Sequence, residues 1–150
     1  MNAESAPLAR PTECPCGGAA PNRASGAKPP RYADCCGRFI DGGAPAPGAL
    51  ELMRSRYTAY VLGDAAYLRA TWAGATCPAE LDVDPAAPGA PRWLGLAIRR
   101  HAALDDAHAE VEFVARYKRG GRAFRLHECS RFARGDDGRW RYVDGDVSES

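Results

Sequence analysis

AEVEFVARYKRGGRAFRLHECSRFAR, residues 109–134, alternates apolar and polar residues on both sides of a glycine pair. Val111, Phe113, Ala115 and Tyr117 fall on one face of an extended chain, and Glu112, Val114 and Arg116 on the other. A period of two interrupted by RGGR is a hairpin signal. Working outward, WLGLAIRR (93–100) places Leu94, Leu96 and Ile98 on one face, and GDDGR (135–139) turns the chain into WRYVDGD (140–146). These runs predict an antiparallel meander of about four strands.

Upstream the period changes. ALELMRSRYTAYVLG (49–63) reads as a helix, with Leu50, Met53, Tyr57, Tyr60 and Val61 on one stripe and Arg54 and Arg56 flanking it. Gly63 can close this helix, and Asp64 can cap a shorter one running through Thr71 and Trp72. Residues 73–91 carry four prolines and read as a long loop. Helices followed by a meander give an α+β fold in which the helices cover one face of a curved sheet.

Residues 14–43 are poor in apolar side chains, so this segment needs a staple to hold a shape. Its thiols supply one. ECPCGG (13–18) and YADCCGRF (32–39) each hold a cysteine pair, Cys14 with Cys16 and Cys35 with Cys36. Zinc takes four thiolates tetrahedrally. Gly17, Gly18 and Gly37 permit the sharp turns that bring each pair onto one ion. A filled sulfur shell leaves no position for substrate water, so such a site is structural. The alternatives are disulfides, a redox-active cluster or unconnected buried thiols. A bridge between neighbours 35 and 36 would be strained.

The chain of 150 residues fits one domain with a small appendage, and 45 % apolar with 26 % charged residues is ordinary for a globular protein. Its formal charge of +1 gives no electrostatic footprint for nucleic acid or an anionic membrane. No stretch reaches the roughly 18 apolar residues of a membrane span, and residues 1–13 lack the apolar core of a signal peptide. The expectation is a cytoplasmic protein with reduced thiols. Residues 1–13 read as a disordered arm, 14–43 as the zinc knot and 44–147 as the α+β domain.

CPCGG followed by YADCCGRFIDG resembles the SEC-C motif, a small zinc module also found at the C-terminus of the SecA translocation motor. With LMRSRYTAYVLGDAAYLRATW, WLGLAI, VEFVARY, LHECSRF and RWRYVDGD behind it, the chain resembles the YchJ-like family of bacterial proteins from Cys14 to Asp146. The resemblance implies a main domain similar to the cone-shaped nuclear-transport-factor fold, enclosing a pocket. Three features depart from the family pattern. The loop GGAAPNRASGAKPPRYAD between the thiol pairs is long, which costs little closure entropy. Cys129 stands where the family tends to have arginine. No second SEC-C motif is read in VDGDVSES, where some relatives carry one.

Beyond the thiols, the candidate polar site is Glu128, Asp144 and Arg54, expected to converge in the cone and bind a polar ligand or shuttle a proton. The competing reading makes them ion pairs tying helix to sheet. His127 lies on the strand face opposite Glu128, and Cys77 reads as a spare thiol. The preferred function is a zinc-binding, non-enzymatic adaptor whose knot offers Lys28, Arg31 and Arg38 to an acidic protein or ribosomal partner. The alternatives are an enzyme using Asp144 and Glu128 in the cone pocket, where a small ligand would sit, or a nucleic-acid binder.

Overall fold

A computed structural model describes residues 10–19 and 28–150. A 3₁₀ turn at Tyr32–Asp34 leads into α1 (Gly37–Ile40); then come α2 (Ala49–Leu62), α3 (Ala65–Ala70) and four strands, β1 (Arg92–Asp105), β2 (His108–Arg119), β3 (Arg122–Arg134) and β4 (Trp140–Glu149). The strands form one antiparallel sheet in sequential order, as the alternation predicts. Gly120 and Gly121 both have positive φ, 59° and 78°, so the two-residue turn between β2 and β3 has the twist that matches its strands. Gly63 closes α2 in the left-handed region, and the Asp64 side chain accepts from Tyr67 N to start α3.

Val111, Phe113, Ala115 and Tyr117 are buried on the inner face of the sheet, under α2. Leu94 departs from its expected face. Trp93 pairs with Tyr117 and Gly95 with Arg116, so Leu94 is the extra residue of a bulge and is 39 % exposed. Trp93, Leu96 and Ile98 take the inner positions instead. A bulge inserts one residue and reverses the parity of the strand beyond it.

The stripe expected on α2 also needs correction. Leu50, Tyr60 and Val61 are half-buried, whereas Leu52, Ser55, Arg56, Thr58, Ala59 and Leu62 are buried together with Met53 and Tyr57. The helix is covered on nearly all sides because the cysteine knot and α3 pack on it as well as the sheet: Thr58 meets Cys36, Ser55 Oγ lies 2.7 Å from Tyr67 OH, and Arg56 donates to Leu68 O. Cys14, Cys16, Cys35 and Cys36 belong to the same core cluster as Leu52, Met53 and Tyr57.

Residues 1–9 of the expected disordered arm lie outside the described residues. Residues 10–13 are tied down. Glu13 bridges to Arg31, Thr12 O accepts from Tyr32 N at 2.9 Å, and Arg10 pairs with Asp41 at 2.9 Å. After α3 the chain pairs briefly with β4, Tyr142 N donating to Thr71 O and Ala73 N to Tyr142 O, each at 2.8 Å. The long loop then runs to β1 without regular structure.

Candidate metal centre and inner-face pocket

The four cysteines named from sequence come together. Their sulfurs all lie within 4.8 Å of one another, and each residue is buried. A tetrahedral zinc–thiolate site has sulfur–sulfur edges of about 3.8 Å, from Zn–S bonds of about 2.3 Å. Cys16 Sγ and Cys35 Sγ are 3.6 Å apart, so a slight contraction of the wider pairs fits the quartet to one ion. Turns after each pair make this possible. Gly17 N donates to Cys14 O, and Gly17 and Gly18 have positive φ. Gly37 has no room for a side chain: a Cβ there would lie 2.8 Å from Tyr32 O.

The sulfurs also have partners beyond one another. Gly18 N donates to Cys16 Sγ at 3.2 Å, and Thr58 Oγ1, from α2, donates to Cys36 Sγ at 3.3 Å and lies 3.7 Å from Cys14 Sγ. Hydrogen bonds from Cys16, Cys35 and Cys36 hold the Cys14 thiol far below the usual range; contacts with Cys14, Cys16 and Cys35, together with burial, push Cys36 far above it. The donor set of four crowded, buried sulfurs suits a thiophilic metal.

On the opposite side of α2, the inner face holds Glu128. Its Oε2 accepts from Ser130 Oγ and from Tyr142 OH, both at 2.7 Å, and the residue is 9 % exposed. Burial, then the charge of Glu128, keep the Tyr142 phenol well above its ordinary pKa, so it remains a donor. Gly145 lies opposite Ser130 and makes room for the carboxylate: a Cβ at Gly145 would come within 2.8 Å of Glu128 Cδ. Arg56, 3 % exposed, donates Nη1 to Leu68 O (2.9 Å) and Thr71 Oγ1 (2.7 Å). Its guanidinium lies 4.8 Å from the Trp72 ring centre and 4.7 Å from that of Tyr142. Beyond Glu128 a cavity of about 290 Å³ is walled by Tyr60, Trp93 and Tyr117.

A family profile described as "YchJ, middle NTF2-like domain" matches residues 48–145. The chain belongs to the YchJ-like family. A UPF0225 protein of Cupriavidus pinatubonensis is 52 % identical over 152 residues, covering 98 % of this chain and 96 % of that one. A UPF0225 protein of Ralstonia nicotianae is 52 % identical over 150 residues, covering 95 % and 96 %. Among solved structures, a SEC-C motif containing protein from Psychrobacter arcticus is 32 % identical with a TM-score of 0.68, covering 92 % of this chain and 84 % of that one. One from Rhodopseudomonas palustris is 33 % identical with a TM-score of 0.65, covering 81 % and 94 %. The fold of this YchJ-like chain is therefore an α+β domain of the NTF2-like kind with a SEC-C cysteine cluster at its N-terminal side.

Within this YchJ-like fold the three polar candidates part company. Glu128 lines the cavity, but Asp144 and Arg54 do not join it. Phe132 pairs with Tyr142 and Arg131 with Asp144, so Val143 is the extra residue of a bulge. That insertion keeps Tyr142 inside and turns Asp144 outward, where it pairs with Arg131 at 2.6 Å. Arg54 points to the knot and donates to Ala19 O at 3.4 Å. His127, on the outer face, meets Glu112 at 2.6 Å. Cys129 lies beside Arg100 and Cys77 beside Arg69. Arg56, Tyr142 and Thr58 were not singled out as site residues by sequence. Only the position of Arg56 beside the helix stripe hinted at its role.

The basic residues of the knot stand on its surface. Lys28, Arg31 and Arg38 are exposed, as are Glu13 and Asp34. Arg38 donates Nε to Cys35 O at 2.9 Å and covers the Phe39 ring. Among the described residues, no helix is long and apolar enough to cross a membrane.

Proposed function

We propose that this chain is a zinc-stabilised, non-enzymatic binding protein of the bacterial cytoplasm. The observation that carries this reading is the closed sulfur quartet, with all four cysteines buried and no fifth ligand beside them among the described residues. Four thiolates complete a zinc shell, so the ion gives shape rather than chemistry. The zinc–thiolate unit carries net negative charge, which Lys28, Arg31 and Arg38 offset from the surface. Together with the SEC-C likeness, those cations support a docking face for an acidic protein or a ribosomal surface. A catalytic role through paired carboxylates loses support, because Asp144 is turned away from Glu128.

Two measurements test this. Elemental analysis of protein purified under reducing conditions should return one zinc per chain; its absence ends the metal reading. The triple charge reversal Lys28→Glu, Arg31→Glu and Arg38→Glu should abolish co-purification of a cytoplasmic partner while zinc content stays unchanged. Unchanged capture ends the docking reading.

A further inference from the structure

The charge of Glu128 is already answered from within the fold. Tyr142 OH donates to Glu128 Oε2, and the Arg56 guanidinium lies 4.7 Å from the centre of the same ring, so Tyr142 touches both charges. Burial pulls the Arg56 pKa down; the neighbouring phenols and the Glu128 charge pull the other way. Oε2 is taken up by Ser130 Oγ and Tyr142 OH, and Oε1 has no hydrogen bond among the described residues. The sealed side-chain atoms without a partner among those residues are Arg54 Nε and Trp72 Nε1. Oε1 is not one of them, so it opens to the cavity that Glu128 lines. What Glu128 has to spare is therefore an acceptor and not a charge.

The rest of the cavity wall is mostly apolar: Tyr60, Pro91, Trp93, Tyr117 and Leu126. The Trp93 ring is 5.3 Å from Tyr117 at 54° and 6.2 Å from Tyr60 at 53°, so the three rings meet at angles and present both faces and edges. At the rim, Arg119 donates to Gly89 O and Glu149 accepts from Tyr117 OH. One carboxylate and one guanidinium at the rim repeat the balance of Glu128 and Arg56 deeper in. At about 290 Å³ the space lies just below the roughly 300–1,000 Å³ of most small-molecule sites.

These features sort the ligand classes. An anion would meet the open oxygen of a carboxylate. A metal ion asks for several converging oxygens, and only Oε1 is free on Glu128. An ammonium ion finds no unanswered charge. A neutral group with one donor hydrogen fits, because a hydrogen bond to a charged acceptor is stronger than one to a neutral acceptor. Angled aromatic walls suit a flat ring, which can lie face-on to one wall and edge-on to the next.

We propose that the cavity binds a neutral aromatic molecule of one or two fused rings that carries an N–H or O–H donor, of the indole or phenol kind. The donor meets Glu128 Oε1, and the ring lies among Tyr60, Trp93 and Tyr117. This site is separate from the knot and does not depend on what the knot docks.

Titration of the full, zinc-loaded, isotope-labelled chain tests it, followed by amide resonances. The probes are indole and benzofuran, which has the same shape but a ring oxygen in place of the N–H. Indole shifts the amides of Trp93, Tyr117 and Leu126 and binds about tenfold or more tightly than benzofuran. Glu128→Gln keeps an oxygen for Ser130 and Tyr142 and turns an NH2 to the cavity, so it removes that preference. If this variant fails to fold, the ratio of the two probes on the native chain decides the matter. No shift of the cavity amides at millimolar indole, equal affinity for benzofuran, or a preference that survives in folded Glu128→Gln would each overturn the proposal. Tighter binding of tryptamine would make the site one for a cation, and tighter binding of N-acetyltryptophanamide would make it one for a peptide side chain; either result also overturns it. Zinc content measured on the same samples keeps this outcome distinct from the fate of the knot.

Discussion

Thr58 Oγ1 reaches from the middle of α2 to Cys36 Sγ, 3.3 Å away. One fully buried hydroxyl therefore joins the helix that covers the sheet to the sulfur cluster of the N-terminal segment. Hydrogen bonds to ligand atoms orient them and tune their affinity for the metal. Thr58→Val keeps the shape and removes the donor. Zinc affinity, read by competition with a chromogenic chelator, should fall by about tenfold or more, and Thr58→Ser should restore most of it.

Stripping the metal should loosen more than the knot. The cysteines share a core cluster with Leu52, Met53 and Tyr57 of α2. Chelation, or Cys16→Ser, should therefore speed amide exchange in residues 28–40 and along α2, while the centre of the β2–β3 hairpin stays protected. Equal protection everywhere with and without metal would contradict this coupling.

Gly145→Ala should be destabilising through contact alone, because the added Cβ would lie 2.8 Å from Glu128 Cδ. Overpacking of this kind costs roughly 1–3 kcal/mol in urea denaturation. Gly74→Ala is the control, since nothing lies within 4 Å of its added carbon, and it should leave the midpoint in place.

Two arginines should behave in opposite ways. Arg56 is buried, with two hydrogen bonds and two aromatic faces around it, and burial pulls its pKa below the usual value. Arg56→Leu should cost about 3 kcal/mol of stability, by the loss of charged hydrogen bonds to groups left buried. Arg131 makes more ion pairs, to Asp144 and Asp146, but on the solvent side. Arg131→Ala should leave the melting temperature nearly unchanged, because solvent screens exposed pairs.

Much of the architecture was legible because its signals are local. The alternation from Val111 to Tyr117, the glycine turn at 120–121 and the Gly63–Asp64 break between helices each depend on a few neighbouring residues. The thiol quartet was legible from its unusual pairing and the glycines beside it. Three features were not. The burial of α2 on nearly all sides depends on the sheet, α3 and the knot, which meet it from different directions, so an amphipathic stripe was the wrong expectation. Thr58 and Arg56 take their roles from residues at least 12 positions away, Cys36 in one case and Leu68 and Thr71 in the other. The outward turn of Asp144 depends on the bulge at Val143, which leaves no mark in the pattern of residue types.

The bulges at Leu94 and Val143 carry a consequence for comparing lengths among relatives. Losing either residue would heal its ladder and keep Trp93 and Tyr142 pointing inward, because each sits outside the paired count. A gap of one at a paired position of the same strands would invert the residues on one side of it, trading the cavity's lining for the solvent coat. Where an alignment puts its gap is therefore a statement about what the cavity contains.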